Sequence, residues 1–362
     1  MSTDTGRIDP MLNALESLVR AESPTEDLDA CRKVVQLASG IAERELGKAA
    51  KVLEVNGRPI FWWGDQNPKV VLLAHLDTVW PIGSFEPIWQ IDGDVLRGPG
   101  TFDMKVGFIQ ALYALKGIEG SVALIATTDE ETGSFASRDL IKEVAKKAEA
   151  VLVLEASLDG KVKTGRKGTA MYEIKAIGLA AHAGLEPEKG INASVELAAQ
   201  ILKLKSLESE TYGTTVVPTM IKGGTTSNTV PDCATVEIDA RSFNQKDLER
   251  VDMAIKSLKP ETNGAKLEIT GGLNRPVLEP ESTKELYAIA EEVATKLGIG
   301  PLGFAEVGGA SDGNFAAAAG AKVLDGLGAI GGGAHAKTEW ASISAMQERS
   351  KFLHELIKEL LK

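Results

Sequence analysis

The 362-residue sequence has little cysteine, little histidine and no excess of positive charge. Its two cysteines, Cys31 and Cys233, are far apart and lack the spacing of a metal-binding motif, so we expect thiols that are buried or lightly exposed. The formal net charge is −11. Nucleic acids and anionic membrane surfaces bind basic patches, so neither is an expected partner.

Long apolar runs are also missing. The first ten residues, MSTDTGRIDP, lack the apolar core of a signal peptide, and no stretch is long enough to cross a bilayer. No internal repeat or low-complexity linker stands out. No Gly-x-Gly-x-x-Gly follows the first strand-like run, which disfavours a dinucleotide-dependent oxidoreductase. We therefore expect a globular cytoplasmic protein with no membrane partner.

Apolar runs alternate with helical periodicity near both ends of the chain. Three runs show no polar alternation, which is typical of a largely parallel sheet buried on both faces: 70–74, 122–126 and 151–154. The middle of the chain changes character and alternates, which favours an antiparallel sheet: 171–177, 215–221 and 235–239. Helical patterns accompany both kinds of segment.

These two patterns predict an α/β domain interrupted by an inserted α+β domain. The sheet of the first domain is expected to be mixed but mostly parallel, with helices on its faces. We assign residues 1–166 to the first part of the catalytic domain, 167–274 to the inserted domain and 275–362 to the second part. A chain of this length exceeds what one core usually organises, which also favours two domains.

Acidic and imidazole side chains follow the three buried runs at the point where each run ends. His75 and Asp77 follow the first run, Glu130 and Glu131 the second, and Glu155 the third. In such a sheet the functional crevice lies beyond the carboxyl ends of the strands. We therefore expect these side chains at one edge of the sheet.

Two Gly-rich loops carry the remaining candidates, Asp103 and His335. Imidazole nitrogen and carboxylate oxygen both suit zinc, and a carboxylate can bridge two ions with its two oxygens. Without a cation, so many carboxylates in one cleft would repel one another and raise each other's pKa. The set predicts a two-metal site, although a single His-x-Asp or Glu-Glu pair would more often be structural.

Taken in order, these segments resemble the dizinc metallopeptidase family that contains glutamate carboxypeptidase, acetylornithine deacetylase, succinyl-diaminopimelate desuccinylase and aminoacylase. The segments that carry the resemblance are His75-Leu76-Asp77, residues 98–105, Glu130-Glu131, Glu155, residues 308–312 and Gly333-Ala334-His335. The resemblance covers nearly the whole chain and is closest to glutamate carboxypeptidase. It implies a zinc-exopeptidase-like catalytic domain and an inserted domain that serves as lid and dimerisation domain.

The resemblance also implies roles in the catalytic domain. It gives each of two zinc ions three ligands and makes Asp103 the bridge: His75, Asp103 and Glu155, and Asp103, Glu131 and His335. Co²⁺ or Mn²⁺ are alternatives in either site. Asp77 would orient the imidazole of His75, and Glu130 would be the general base that moves a proton from the attacking water to the leaving amine. A cis peptide bond is implied at Asp103–Met104.

In the inserted domain, His182 resembles a histidine that stabilises the oxyanion in the partner subunit's active site, which implies a homodimer through the lid domain. Asn228 resembles a lid asparagine that contacts substrate. Arg241 and Arg275 lie where glutamate carboxypeptidase places substrate-contacting arginines, and a guanidinium grips a carboxylate with two parallel hydrogen bonds. Arg275 is expected at the hinge between domains. A surface histidine is the alternative for His182, and a lid salt bridge for Arg241.

Three functions stay open. The first is a carboxypeptidase that releases a C-terminal amino acid from a small peptide, with Arg275 reading the α-carboxylate. The second is an N-acyl-amino-acid deacylase with the same bond chemistry. The third is an inactive relative used as a binding scaffold, which the complete set of ligands and base disfavours. The segment Ser311-Asp312-Gly313-Asn314 departs from the family pattern, so the side chain that the enzyme prefers in its substrate stays unassigned.

Overall fold

The computed structural model describes residues 9–362, which fold into two compact units. The first unit contains residues 9–165, Glu279–Val307 and Ser311–Lys362, and the second contains Arg166–Leu278 and Gly308–Ala310. Residues 275–278, predicted to begin the second part of the catalytic domain, therefore belong to the second unit. Arg275 lies three positions before Leu278, where this segment of the second unit ends, and its expected place at the hinge stays a prediction.

The helices of residues 9–362 fall mainly in the first unit, and only α5 and α6 belong to the second. They are α1 (Pro10–Arg20), α2 (Leu28–Leu46), α3 (Val106–Ala114), α4 (Arg138–Ala145), α5 (Ala193–Lys205), α6 (Gln245–Lys256), α7 (Lys284–Leu297), α8 (Asp312–Ala318) and α9 (Ile343–Leu360). Among these described residues, no helix combines the length and the apolar character needed to cross a membrane.

Local sequence signals explain where two of these helices begin or end. The Asp27 side chain accepts a hydrogen bond from the backbone N–H of Ala30, and Gly47 ends α2 in the left-handed region with φ 72°. Helix α4 begins at Arg138, four positions after Ser134. Ser134 has a φ of 55°, which α-helical backbone does not adopt.

The strands of residues 9–362 form two main sheets and two smaller ones. They are β1 (Lys51–Val55), β2 (Arg58–Gly64), β3 (Val70–His75), β4 (Gln90–Asp92), β5 (Val95–Arg97), β6 (Val122–Thr127), β7 (Ala150–Val153), β8 (Val162–Arg166), β9 (Gly168–Ile177), β10 (Thr215–Gly223), β11 (Cys233–Ser242), β12 (Lys266–Leu273), β13 (Phe304–Val307), β14 (Val323–Leu324), β15 (Gly331–Gly332) and β16 (Trp340–Ser342).

The central sheet of the first unit has the strand order β1-β2-β6-β3-β7-β14. Strands β6, β3, β7 and β14 run parallel, whereas β1 and β2 add an antiparallel edge that was not predicted. Every residue of β3 and β6 is buried, as expected where both faces of a sheet are covered. The predicted α/β fold with a mostly parallel mixed sheet is confirmed.

The second unit is built on an antiparallel sheet with the order β10-β11-β9-β12. Alternate residues of β9, including Tyr172 and Ile174, enter a core shared with Leu197 of α5 and with Leu248 and Val251 of α6. This α+β unit therefore has its own apolar core. Strand β10 forms one edge of the sheet.

Candidate metal centre

Imidazole and carboxylate side chains meet at the carboxyl edge of the central sheet. His75 is the last residue of β3, Glu130 and Glu131 lie in a 3₁₀ turn just after β6, and Glu155 follows β7. Strands β6, β3 and β7 are parallel neighbours, so their ends deliver these side chains to the same edge. The buried apolar runs thus fix the position of the site.

Two loops bring in the remaining candidates. Asp103 lies between β5 and α3, and the Asp103–Met104 peptide bond is cis, as the family resemblance implied. The close approach at this loop requires glycine at Gly100, where an added Cβ would lie 2.7 Å from Thr78 and where φ is 73°. His335 follows β15 and adopts a φ of 59°.

Asp103 lies between the two histidines and contacts each with a different oxygen. Its Oδ1 is 3.2 Å from Nε2 of His75, and its Oδ2 is 3.5 Å from Nε2 of His335. Glu155 Oε1 lies 3.6 Å from Nε2 of His75, and Glu131 Oε2 lies 3.1 Å from Nε2 of His335. These atoms form two groups of three that share Asp103.

The spacing of these atoms fits divalent cations. Ligand atoms at ~2 Å from a tetrahedral zinc ion stand about 3.3 Å apart, and the four contacts described above lie between 3.1 and 3.6 Å. All ligand atoms within each group lie within 4.8 Å of one another. The two separate oxygens of Asp103 allow it to hold both ions. The donor set therefore has the composition and spacing of a two-metal centre.

Electrostatics favour the same interpretation. Hydrogen bonds to Asp103 and Glu131 raise the pKa of His335 to about 10. Burial would lower the pKa of His75, but its contacts with Asp103 and Asp77 raise that pKa well above its usual range. The carboxylates thus hold positive charge on both imidazoles in the metal-free protein. Divalent cations would replace those protons as the positive charge of the site.

Asp77 supports the site in two ways. The Nδ1 of His75 lies 3.0 Å from the backbone oxygen of Asp77 and 3.4 Å from its carboxylate Oδ1. The other carboxylate oxygen accepts hydrogen bonds from Oγ1 of Thr25, at 2.8 Å, and from the backbone N–H of Glu131, at 3.2 Å. Asp77 is fully buried. It therefore links a ligand imidazole on one strand to a ligand carboxylate that follows another.

Sequence reasoning missed Glu339, whose buried carboxylate holds the loop that carries Asp103. Its Oε1 accepts hydrogen bonds from the backbone N–H groups of Phe102, at 2.9 Å, and Asp103, at 3.1 Å. Its Oε2 accepts from the backbone N–H of Gly100, at 3.2 Å, and from Nε1 of Trp80, at 3.1 Å. The signal available in the sequence was an acidic residue four positions after His335.

In the second unit, His182 and Asn228 lie on neighbouring segments. The backbone N–H of Ala183 donates to the backbone oxygen of Asn228. Nδ1 of His182 accepts hydrogen bonds from the backbone N–H groups of Gly184 and Leu185, both at 3.1 Å. An accepting Nδ1 places the ring proton on Nε2, which gives the exposed imidazole an outward donor.

The two candidate arginines differ in their surroundings. Arg241 forms a two-pronged salt bridge with Asp239, at 2.7 and 2.8 Å, and donates to the backbone oxygen of Gly308 at 3.1 Å. A salt bridge of this kind is the alternative role that the sequence left open for Arg241. Arg275 is buried in the second unit, with 7% of its surface exposed. The substrate-contacting roles of both arginines stay predictions.

The sequence pattern of peptidase family M20/M25/M40 matches residues 71–359. This chain belongs to that family. The family assignment confirms the resemblance drawn from the separate motifs. It also identifies the chain as an enzyme, a metallopeptidase or amidohydrolase. The matched residues include every candidate metal ligand.

Relatives within the M20 family have different named activities. Carboxypeptidase G2 of Pseudomonas sp. (strain RS-16) is 32% identical over 386 aligned positions, covering 97% of this chain and 89% of that protein. Succinyl-diaminopimelate desuccinylase of Sulfurovum sp. (strain NBC37-1) is 26% identical and covers 82% of this chain and 84% of that protein. An M20 family metallo-carboxypeptidase from Sulfolobus solfataricus shares the fold, with a TM-score of 0.78, 20% identity and coverage of 98% and 99%.

Proposed function

We propose that this M20 protein is a dizinc carboxypeptidase that releases the C-terminal amino acid of a small peptide. The observation that carries the proposal is the pair of ligand groups that share Asp103 at the carboxyl edge of the sheet. The similarity to carboxypeptidase G2 over nearly the whole chain supports the choice of a carboxypeptidase.

Five residues would hold the metals. His75 and Glu155 would belong to one ion and Glu131 and His335 to the other, with Asp103 shared. When bound, two zinc ions would polarise the scissile carbonyl and make a water molecule more acidic. Co²⁺ or Mn²⁺ would serve the same purpose.

Glu130 would act as the general base and acid. It is buried, with 7% of its surface exposed, and it directly precedes the ligand Glu131. In this role it takes a proton from the attacking water and later gives that proton to the leaving amine. Asp77 holds the imidazole of His75 and the backbone of Glu131, so the base and its neighbours keep a fixed geometry.

His182 would stabilise the negative charge that develops on the carbonyl oxygen of a substrate bound by the partner subunit. Its Nε2 carries the proton that such a hydrogen bond requires. This role requires a homodimer through the second unit. Strand β10 supports the dimer, because this edge strand exposes Val217, Met220 and Ile221, and unpaired strand edges favour association.

Arg275 would bind the α-carboxylate of the amino acid that is released, and Asn228 would contact the substrate beside it. A guanidinium recognises a carboxylate through two parallel hydrogen bonds. Arg241, which forms a salt bridge with Asp239, would be the second arginine candidate for contact with the substrate. The cytoplasm is the proposed location.

A substrate panel tests the proposal. The zinc-loaded enzyme would be assayed against dipeptides, N-acetyl amino acids and N-succinyl amino acids that share one C-terminal residue. We expect the dipeptides to be cleaved with the highest kcat/KM. Cleavage restricted to the acetyl or succinyl compounds would instead favour an N-acyl-amino-acid deacylase, the alternative supported by the similarity to the desuccinylase.

A further inference from the structure

A groove on the first unit lies directly beside the metal ligand Glu131. It has a volume of about 890 Å³. Three segments line it: residues 24–32, 78–82 and 131–132. Ligand sites in proteins commonly have volumes of ~300–1,000 Å³, so the groove can hold a group much larger than an acetyl.

The wall formed by residues 24 and 25 is fixed to the metal site. The backbone N–H of Thr25 donates to the oxygen of Thr78 at 3.2 Å, and the N–H of Thr78 donates to the oxygen of Ser23 at 2.9 Å. The buried carboxylate of Asp77 accepts from Oγ1 of Thr25 and from the N–H of Glu131. One carboxylate therefore joins this wall to a metal ligand.

The neighbouring part of the lining, residues 79–82, is anchored as well. Nε1 of Trp80 donates to Oε2 of Glu339, and the other oxygen of that carboxylate accepts from the N–H of Asp103. Both parts of the lining are thus connected to segments that carry metal ligands. The groove is a built part of the first unit, and the candidate metal ligand Glu131 is one of its lining residues.

The surface of the groove is apolar with an acidic rim. Leu28, Val79 and Ile82 line it and are 38%, 39% and 59% exposed. Three acidic residues also belong to the lining, and we refer to them as the acidic rim: Glu26, Asp27 and Asp29. The one guanidinium in the lining, Arg32, is shared between Asp29, at 3.2 Å, and Glu54, at 3.3 Å. Negative charge therefore prevails at the rim.

This charge decides which side of the scissile bond the groove can accept. The released amino acid carries an α-carboxylate next to the scissile bond, and an acidic rim repels that group. The residue on the carbonyl side of the bond carries no carboxylate of its own in most peptides. In a dipeptide it also carries the free amino group, which an acidic rim attracts.

We propose that this groove binds the residue on the carbonyl side of the scissile bond and selects apolar or cationic side chains over anionic ones. The proposal rests on the proposed carboxypeptidase function and names the class of peptide that it acts on. It predicts that acyl groups ending in a carboxylate, such as succinyl, are poor substrates.

Three dipeptides with the same C-terminal residue test this selection, with Gly, Phe or Glu at the first position. Burial of an aromatic side chain predicts that kcat/KM for Phe exceeds that for Gly by about tenfold or more. The acidic rim predicts that Glu falls below Gly. The free amino group is common to all three peptides, so the comparison isolates the side chain.

Substitutions test whether the selection among these side chains depends on the groove. Ile82→Asp should lower kcat/KM for the Phe peptide by about tenfold through KM and leave the Gly peptide within about twofold. Ile91→Asp is the matched control, because Ile91 is an exposed isoleucine outside the groove. Glu26→Lys should raise kcat/KM for the Glu peptide about threefold.

Photo-cross-linking gives a readout that needs no turnover. A dipeptide carrying p-benzoylphenylalanine at the first position should label residues 24–32, 78–82 or 131–132, and labels confined to other segments would overturn the proposal. So would equal kcat/KM for the three dipeptides, or an equal loss for all three with Ile82→Asp. Failure to cleave any dipeptide would defeat the carboxypeptidase function itself.

Discussion

At the scale of single residues, the site depends on carboxylates that do different work in one small region. Asp103 has both oxygens directed at imidazoles, whereas Glu339 accepts hydrogen bonds from the backbone of the Asp103 loop and from Nε1 of Trp80. Glu130 and Glu131 are adjacent in sequence, yet only Glu131 belongs to a ligand group. Substitutions should therefore separate metal binding, loop positioning and proton transfer.

Glu130→Ala should retain two zinc ions per chain and lose kcat by about 10²–10⁴-fold, because proton transfer is removed while the ligands stay. Metal analysis and steady-state kinetics measure the two effects. Glu149→Ala, at an exposed glutamate paired with Lys69, is the control. A Glu130→Ala enzyme with near-normal kcat would exclude Glu130 as the base.

Glu339→Gln should weaken zinc binding by about 10–100-fold, the usual effect of removing a group that positions ligands. The amide keeps one accepting oxygen and turns its NH₂ group toward two of the four N–H donors. Competition with a chromophoric chelator measures the affinity, with Glu149→Gln as the control. An unchanged zinc affinity would show that the loop holds Asp103 without this carboxylate.

At the scale of elements, helix α3 lies close against the strand end that carries Glu155. A Cβ built on Gly107 would lie 2.1 Å from the backbone oxygen of Leu154, the residue before Glu155. A backbone oxygen cannot move aside as a flexible side chain can. The absence of a side chain at Gly107 therefore sets the distance between α3 and this part of the site.

Gly107→Ala should lower the free energy of unfolding by about 1–3 kcal/mol, because the methyl group overpacks this contact. The matched control is Gly40→Ala in the exposed part of α2, where a Cβ meets no atom within 4 Å. That change should raise the free energy of unfolding by about 0.5–1 kcal/mol through helix propensity. Urea unfolding measures both, and a stabilised Gly107→Ala protein would contradict the close packing.

At the scale of the whole molecule, the candidate metal ligands join parts of the chain that are distant in sequence, from His75 to His335. Metal bound to the native state alone adds its binding free energy to stability. The proposed homodimer adds a second kind of linkage, between subunits. The first kind of linkage predicts how zinc affinity depends on pH, and the second predicts the activity of mixed dimers.

Zinc affinity should rise with pH between 6 and 9, by about tenfold or more per pH unit. In the metal-free protein, Asp103 and Glu131 raise the pKa of His335 to about 10, so the ion must displace its proton throughout this range. Below the pKa that His335 has in the unfolded chain, its protonated imidazole stabilises the metal-free fold. That contribution to the free energy of unfolding is lost as the pH rises through about 10.

Calorimetry in buffers of different ionisation enthalpy counts the protons released on zinc binding, and chelator competition gives the affinity. His335→Ala should reduce the proton count by one. His354, whose Nδ1 lies 2.7 Å from the backbone oxygen of Ala114, offers a control histidine outside the site. Zinc affinity independent of pH would show that His335 binds no proton in the metal-free protein.

Mixing Glu130→Ala with His182→Ala should restore activity if His182 acts in the partner subunit. Each mixed dimer then has one site with both residues intact, and half of the dimers are mixed after random exchange, giving about a quarter of the wild-type rate. Activity after mixing, with light scattering to confirm dimers, is the measurement. No recovery in verified mixed dimers would place His182 in its own subunit's reaction.

The sequence predicted the elements whose signal is local. The runs that became β3, β6 and β7 carry continuous apolar residues because both faces are buried, and polar ligands stand where each run stops. The β1–β2 hairpin was missed although Asn56-Gly57 marked its turn, where both residues have positive φ. Most residues of its inner strand β2 are buried, so this strand lacks the alternation of buried and exposed residues that marks a half-exposed hairpin.

The sequence by itself determined which residue types were available as ligands, where the buried strands end and that an antiparallel unit interrupts the chain. The family resemblance implied which carboxylates meet which histidine. Only the tertiary structure decided the distances between them, because these depend on loop backbone such as the left-handed His335 and the Asp103 loop held by Glu339. The salt bridge of Arg241 and the groove beside Glu131 were also decided there. The groove brings together segments far apart in sequence, which no local pattern encodes, whereas the salt bridge joins two residues of β11 that are two positions apart and was left open as an alternative.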